Sequence, residues 1–210
     1  MPKNVEDIAI AELEMPRFEN GRPLLIAGLD GRYTVDTLDD LPALWDRFSI
    51  HLGKVRGQVG RAAYGACSDM FTGTGNFHYL AGVEVSDSSA LPEEFSLVHI
   101  PAQRYVIFSH RKHVSMLRYT VNTIWSQWFP ASNYQAARAT DGAADSFERY
   151  GEDFNPRLGA GDIELWIDPL GRVTVGNAWH SGNRMVGNCR RTTRDLRTIR
   201  TAARSISNSR

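Results

Sequence analysis

Cysteine is nearly absent: the 210 residues contain two, Cys67 and Cys189, far apart and with no ligand spacing around either. That argues against a disulfide framework or a Cys-based zinc site, and makes a reducing cytoplasm the expected setting. Long apolar runs are missing as well. No run approaches the roughly 20 residues of a membrane-spanning helix, and the N-terminus lacks the basic-then-apolar order of a secretory signal. No phosphate loop, dinucleotide fingerprint or nucleophile elbow is present, and Gly73-Thr74-Gly75 reads as a hairpin turn. His78, His99, His110 and His113 show no ligand spacing with nearby carboxylates, so neither a metal nor a cofactor is expected.

Lysine and acid are missing from one end only. From Gly171 onward there are nine Arg, no Lys and a single acid, Asp195, which gives 9 − 1 = +8. With 24 basic and 24 acidic residues in total, the first 170 residues carry 15 and 23, or −8. An acidic body favours small cations over nucleic acid, whereas a basic tail favours the reverse. The tail is rich in Gly, Asn, Ser and Thr and too poor in apolar residues to pack a core, so residues 171–210 are expected to be disordered or to order on a partner.

What remains is ordinary for a globular domain, with 42% apolar and 23% charged residues, and long enough to bury a core without staples. Residues 1–21 read as a lead-in arm, too short to hold a helix-turn-helix, so no DNA-binding domain is expected in this chain. Strand patterns cover Pro23–Tyr33, Ala62–Ser68 and Phe77–Val85. Between the first two, a helix over 40–52 carries Leu41, Leu44, Trp45, Phe48 and Leu52 at helical spacing, with Pro42 in its first turn and Gly53 closing it. After the connector Asp87–Pro92 the order starts again. Phe95–Ile100 and Tyr105–His110 are strand-like, a helix runs from about 112 to 129 until Pro130 stops it, a loop covers 131–145, and strands follow near Phe147–Tyr150 and over 162–168.

Arithmetic supports a duplication. Trp45 and Trp125, Glu84 and Glu164, and the strand cores at Ile26 and Val106 are each separated by 80. Two strand–helix–strand–strand units, about 22–86 and 95–170, follow from this, and they need each other to bury their faces. The groove between the halves is then the expected ligand site.

The stretch Gly161-Asp162-Ile163-Glu164-Leu165-Trp166-Ile167-Asp168 alternates Ile163, Leu165 and Ile167 with Asp162, Glu164 and Trp166. An acid beside an indole on one strand face suits a cationic or aromatic guest. Glu84 is its counterpart in the first unit. Tyr64 offers a hydroxyl, Tyr150 lies close by, and Tyr105 and Phe108 have opposite parity, so only one of them can share a face with Glu164. Trp45, Trp125 and Trp128 fall on apolar helix faces and are read as core, as is Cys67.

Six ordered pieces carry a family likeness: Tyr64-Gly65-Ala66-Cys67, Tyr79 to Val85, Ile100 to Tyr105, Ile124 to Pro130, Phe147-Glu148-Arg149-Tyr150 and Ile163 to Ile167. In these the chain resembles the GyrI-like small-molecule-binding domains, which also form the C-terminal effector-binding halves of AraC-type and MerR-type transcription regulators in bacteria. The resemblance implies an α+β fold of tandem duplicated βαββ units, an antiparallel sheet with helices on one face, and a central ligand cleft. It also implies that Glu164 is the polar anchor for cationic, aromatic or lipophilic ligands, with Trp166, Glu84, Tyr64, Tyr105, Phe108 and Tyr150 as candidate neighbours. The expected function is a stand-alone, multidrug-type binding protein. The alternative is a hydrolase of strained cyclopropane-bearing compounds, as some stand-alone relatives are, with Glu164 as general base and Tyr64 or Tyr150 as proton donor. A partner bound through the basic tail is a third reading.

Overall fold

The structure, a computed structural model, describes residues 11–70, 75–138 and 143–170. The basic tail, the first ten residues and most of the Gly73 turn lie outside these. Eight strands form one antiparallel sheet: β1 (Arg17–Asn20), β2 (Leu24–Thr34), β3 (Gln58–Ser68), β4 (Asn76–Val85), β5 (Ser96–Ile100), β6 (Arg104–His110), β8 (Ser146–Tyr150) and β9 (Ile163–Ile167). Their order across the sheet is β1-β6-β9-β8-β3-β4-β2-β5. A two-stranded ribbon of β7 (Gln135–Ala136) and β10 (Pro169–Leu170) lies apart.

The two halves meet at β3 and β8, where Gly65 is paired with Glu148. Each half runs outward from that seam, as β3-β4-β2 and as β8-β9-β6, and each edge is finished by a strand from the other half. β5, expected to open the second unit, pairs with β2 of the first. β1, expected as part of a lead-in arm, pairs with β6 of the second. Both exchanged pairings have the same register: Leu97 lies opposite Ala27, and Arg17 opposite Ile107. The connectors that make the exchange touch, with the Gly21 N–H donating to the Gln103 carbonyl at 2.8 Å.

A single offset of 80 does not survive this pairing. Glu84 lies opposite Ile26, but Glu164 lies opposite Ser109 rather than Val106. The first strands are therefore shifted by 109 − 26 = 83 when the glutamates are matched. Because side chains alternate with a period of two, this odd shift puts Ile26 and Val106 on opposite faces, and they pack in different clusters.

Helix α1 (Leu41–Ser49) follows a 3-10 turn and has Pro42 in its first turn, as expected, but ends at Ser49, before Leu52. It buries Leu44 and Phe48 on Ala27, Tyr79, Ala81 and Val83. Each such large apolar side chain contributes about 1.5–3 kcal/mol. In the second half α2 (Leu117–Thr123) continues through a π turn (Ile124–Trp128) into a last short turn, Phe129–Ala131. Pro130 therefore sits inside the final turn instead of stopping the helix before it. The Phe129 N–H reaches back to the Ile124 carbonyl, and this wider turn relieves the clash a proline ring makes with an ordinary helical turn. Leu117, Ile124 and Phe129 pack on Val106, Phe108, Ile163, Leu165 and Ile167. The opposite, concave face carries a third cluster, Ile26, Tyr64, Leu80, Tyr105, Ile107 and Phe147, buried by the curl of the sheet itself. No helix among the described residues is long and apolar enough to cross a membrane.

Candidate ligand-binding site

Strand alternation sorts the sequence-derived candidates onto two faces. Glu84, Glu164, Trp166, Tyr64 and Tyr105 point to the concave side. Trp166 stacks on Phe147 with centroids 5.4 Å apart, Tyr105 meets both rings edge-on, and Tyr64 lies 6.3 Å from Phe147. Burial raises the Tyr64 hydroxyl and pushes that of Tyr105 further, beyond the range where it ionises in ordinary solution. Phe108 does not join them. It packs beneath α2 against Trp128 at 5.0 Å, the consequence of its parity opposite to Tyr105. Tyr150 also faces the helices.

The concave-side acids already have partners. Glu164 is paired with Arg17, accepts from Arg149 at 3.4 Å, and takes the Trp166 indole N–H at 2.9 Å. Glu84 is held by both terminal nitrogens of Arg22, with Nη2 to Oε2 at 2.6 Å. Arg17 and Arg22 lie on β1 and the connector that follows it, so one short segment neutralises both acids.

The helix side shows the reverse. Glu148, between the two halves on β8, accepts a hydrogen bond from the Tyr79 hydroxyl at 2.6 Å and another from Tyr150 at 2.8 Å. The Trp45 indole N–H donates to the Tyr79 oxygen at 3.1 Å, and the Trp45 ring meets Tyr150 edge-on at 5.0 Å. Phe154 closes on the other side of Tyr150, also at 5.0 Å. Among the described residues Glu148 forms no ion pair. Burial raises its pKa against the lowering effect of the two phenols, and the Tyr79 and Tyr150 hydroxyls are pushed well above the usual tyrosine range. The residue as a whole is half-buried, with its carboxyl set between the Tyr79 and Tyr150 hydroxyls.

Glycine makes the cluster possible. Gly65 is directly across from Glu148, and a Cβ there would collide with the Tyr79 hydroxyl and sit 2.8 Å from Glu148 Oε2. Cys67, next on that face, packs beside Tyr79, and burial raises its thiol pKa.

Sequence reasoning singled out Tyr150 but missed Glu148 and Tyr79. The signal for Glu148 was its two-residue spacing from Tyr150. Trp45, read as core alone, packs into both helix-side clusters and also supplies a polar contact to the site. An acid with no countercharge, ringed by phenols and an indole, can hold a cation by charge and by ring faces, or take a proton.

Comparison with known proteins agrees with this architecture. A model of the GyrI-like small molecule binding domain matches residues 14–168. The transcriptional regulator BrlR of Pseudomonas aeruginosa is 27% identical over 131 residues, which are 61% of this chain and 46% of that protein; the chain spans about half the length of this curated relative. Among solved structures, SAV2435 bound to tetraphenylphosphonium superposes with a TM-score of 0.59 at 14% identity, covering 75% of this chain and 95% of that one. The C-terminal domain of EcmrR gives a TM-score of 0.52 at 14% identity, covering 74% and 97%. On the match over residues 14–168, the chain belongs to the GyrI-like small molecule binding domain family.

Proposed function

We propose that this domain binds lipophilic, aromatic cations on the helix side of the sheet, with Glu148 rather than Glu164 as the anchoring carboxylate. The observation that carries this reading is the state of Glu148: raised in pKa by burial and, among the described residues, bonded to neutral phenols with no cationic partner. Ionising such a group is opposed by its surroundings, and a cation beside it removes that opposition. Trp45, Tyr150 and Phe154 supply ring faces and edges for the guest's apolar body. The tetraphenylphosphonium in SAV2435 supports the ligand class by analogy of fold. Glu164 and Glu84 serve as structural partners of Arg17, Arg149 and Arg22. The function is that of an effector-binding module of the kind regulators carry. The hydrolase alternative has less behind it, because the likeness is to a small-molecule-binding domain and to regulators that carry one.

Titration with tetraphenylphosphonium, read through tryptophan fluorescence, tests this. Glu148→Gln is expected to weaken binding tenfold or more, about 1.4 kcal/mol, while Glu164→Gln leaves it within twofold. Equal affinity in wild type and Glu148→Gln, or loss only in Glu164→Gln, overturns the assignment.

A further inference from the structure

The two hydrogen bonds that hold Glu148 end on the same oxygen. Tyr79 donates to Oε2 at 2.6 Å, and Tyr150 donates to Oε2 at 2.8 Å. Oε1 accepts no hydrogen bond among the described residues. The other two covered glutamates of the sheet are used at both oxygens. Glu84 meets Arg22 Nη1 through Oε1 and Nη2 through Oε2. Glu164 meets Arg17 through Oε1, and Arg149 and the Trp166 indole through Oε2.

The phenols are fixed in this arrangement. The Tyr79 oxygen receives the Trp45 indole N–H at 3.1 Å, which leaves its own proton for Glu148. Oε2 is also the oxygen turned toward Gly65, 2.8 Å from where a Cβ would stand, so β3 closes that side. Among the described residues no fully buried side-chain oxygen goes without a partner, so Oε1 keeps contact with solvent. An ionised carboxylate has about four lone-pair positions. Those on Oε1 are open to a donor that the surrounding side chains do not supply.

We propose that the guest's charged centre carries an N–H and donates it to Glu148 Oε1, so that the site takes protonated lipophilic amines in preference to quaternary ammonium or phosphonium cations. This inference rests on the reading of Glu148 as the anchor. Charge attracts both classes of cation, but only the amine fills the open acceptor. A hydrogen bond between ionised partners is shorter and stronger than one between neutral groups, and more so where water is scarce. A quaternary centre instead presses carbon against Oε1 and displaces its water without returning a hydrogen bond. For two guests with the same aromatic body the amine is therefore favoured by about tenfold or more.

Calorimetric titration of the full chain with a matched pair tests it: protonated dimethyl(naphthylmethyl)amine and the trimethyl(naphthylmethyl)ammonium salt. Near neutral pH the amine is expected to bind about tenfold tighter. In Glu148→Gln the amide oxygen can still receive the phenols while an N–H replaces Oε1, so the two guests should fall to within about twofold of each other. The amine's affinity should drop in acid, as Glu148 takes a proton, and again in alkali, as the amine loses its own; the quaternary salt should show only the first drop. Tyr79, Tyr150 and Cys67 are raised above their usual ranges and stay neutral between these limits. Equal affinities in the wild type, with both guests weakened in Glu148→Gln, overturn the donor preference and leave the cation reading standing. A preference that persists in Glu148→Gln also overturns it, since the extra methyl is then merely too large. No binding of either guest, or binding of both that ignores Glu148→Gln, overturns the donor preference together with the reading beneath it. A cooperative thermal transition of the variant verifies its fold.

Discussion

Glu148 differs from every other acid in the sheet in what surrounds it. Glu84 and Glu164 are as well covered but have guanidinium partners, whereas Glu148 has two phenols. The sign of its pH effect follows from the direction of its shift. A carboxyl whose folded-state pKa is raised favours the folded protein in its protonated form. That stabilisation is complete below the ordinary glutamate range and is lost as pH rises through the raised value. Glu148→Gln should therefore match the wild type in acid and exceed it in Tm on the alkaline side of that window. For a permanent cation the dependence runs the other way, because the ionised form is the one that attracts it. Tetraphenylphosphonium affinity should climb with pH and level off once Glu148 is ionised, with a slope approaching tenfold per pH unit below that point. Calorimetric titrations between about pH 4 and 8 would show it. A flat profile in the wild type, or the same rise in Glu148→Gln, would remove Glu148 from the site.

At the scale of elements, the exchanged edge strands decide which face is closed. Arg17 and Arg22, on and just after β1, neutralise Glu164 and Glu84 beneath them, and the Gly21–Gln103 contact joins the two connectors. Arg22 is mostly exposed, while Glu84 is only 7% exposed, so the two ends of this pair are not equivalent. Removing Arg22 leaves a covered carboxylate without its charge partner, at a cost of about 1–2 kcal/mol. Removing the charge of Glu84 leaves an arginine that solvent receives, at a cost near zero. Urea unfolding of Arg22→Ala, Glu84→Gln and the double variant should show this asymmetry, with the second change recovering most of the first loss. Additive losses would mean that the pair does not act as one.

The same exchange explains what the sequence could and could not disclose. Strand identity was readable from local alternation: Ile163, Leu165 and Ile167 against Glu164 and Trp166 placed β9 and its two faces correctly. The shared side of Glu84 and Glu164 did not follow from their separation of 80, because Ile26 and Val106 have the same separation and lie on opposite faces. Which acids would be paired was not readable, because it depends on Arg17 and Arg22 reaching acids 147 and 62 residues away. Tyr79 was missed for the same reason. Its partner Glu148 lies 69 residues on, and only the pairing of β3 with β8 beside β4 brings the two together. The π turn before Pro130 adds one residue to a helical turn, a change that apolar spacing alone does not resolve.

At the scale of the whole molecule, neither half of the sheet is self-sufficient. Cutting the chain in the polar connector, between Ser89 and Ala90, would separate β1 from β6, β2 from β5 and β3 from β8. Each fragment would then carry an edge strand with nothing to pair with, and open at the seam the backbone groups that β3 and β8 satisfy in each other. It would also divide the proposed ligand site, with Trp45 and Tyr79 on one piece and Glu148 and Tyr150 on the other. Neither fragment alone should show a cooperative thermal transition by circular dichroism, and neither should bind tetraphenylphosphonium. Mixed in equal amounts, they should co-elute and regain both properties, because three strand interfaces re-form at once. A single fragment that melts cooperatively would show that one half folds alone, and the exchanged strands would then be decoration on two independent units and not the reason the fold holds.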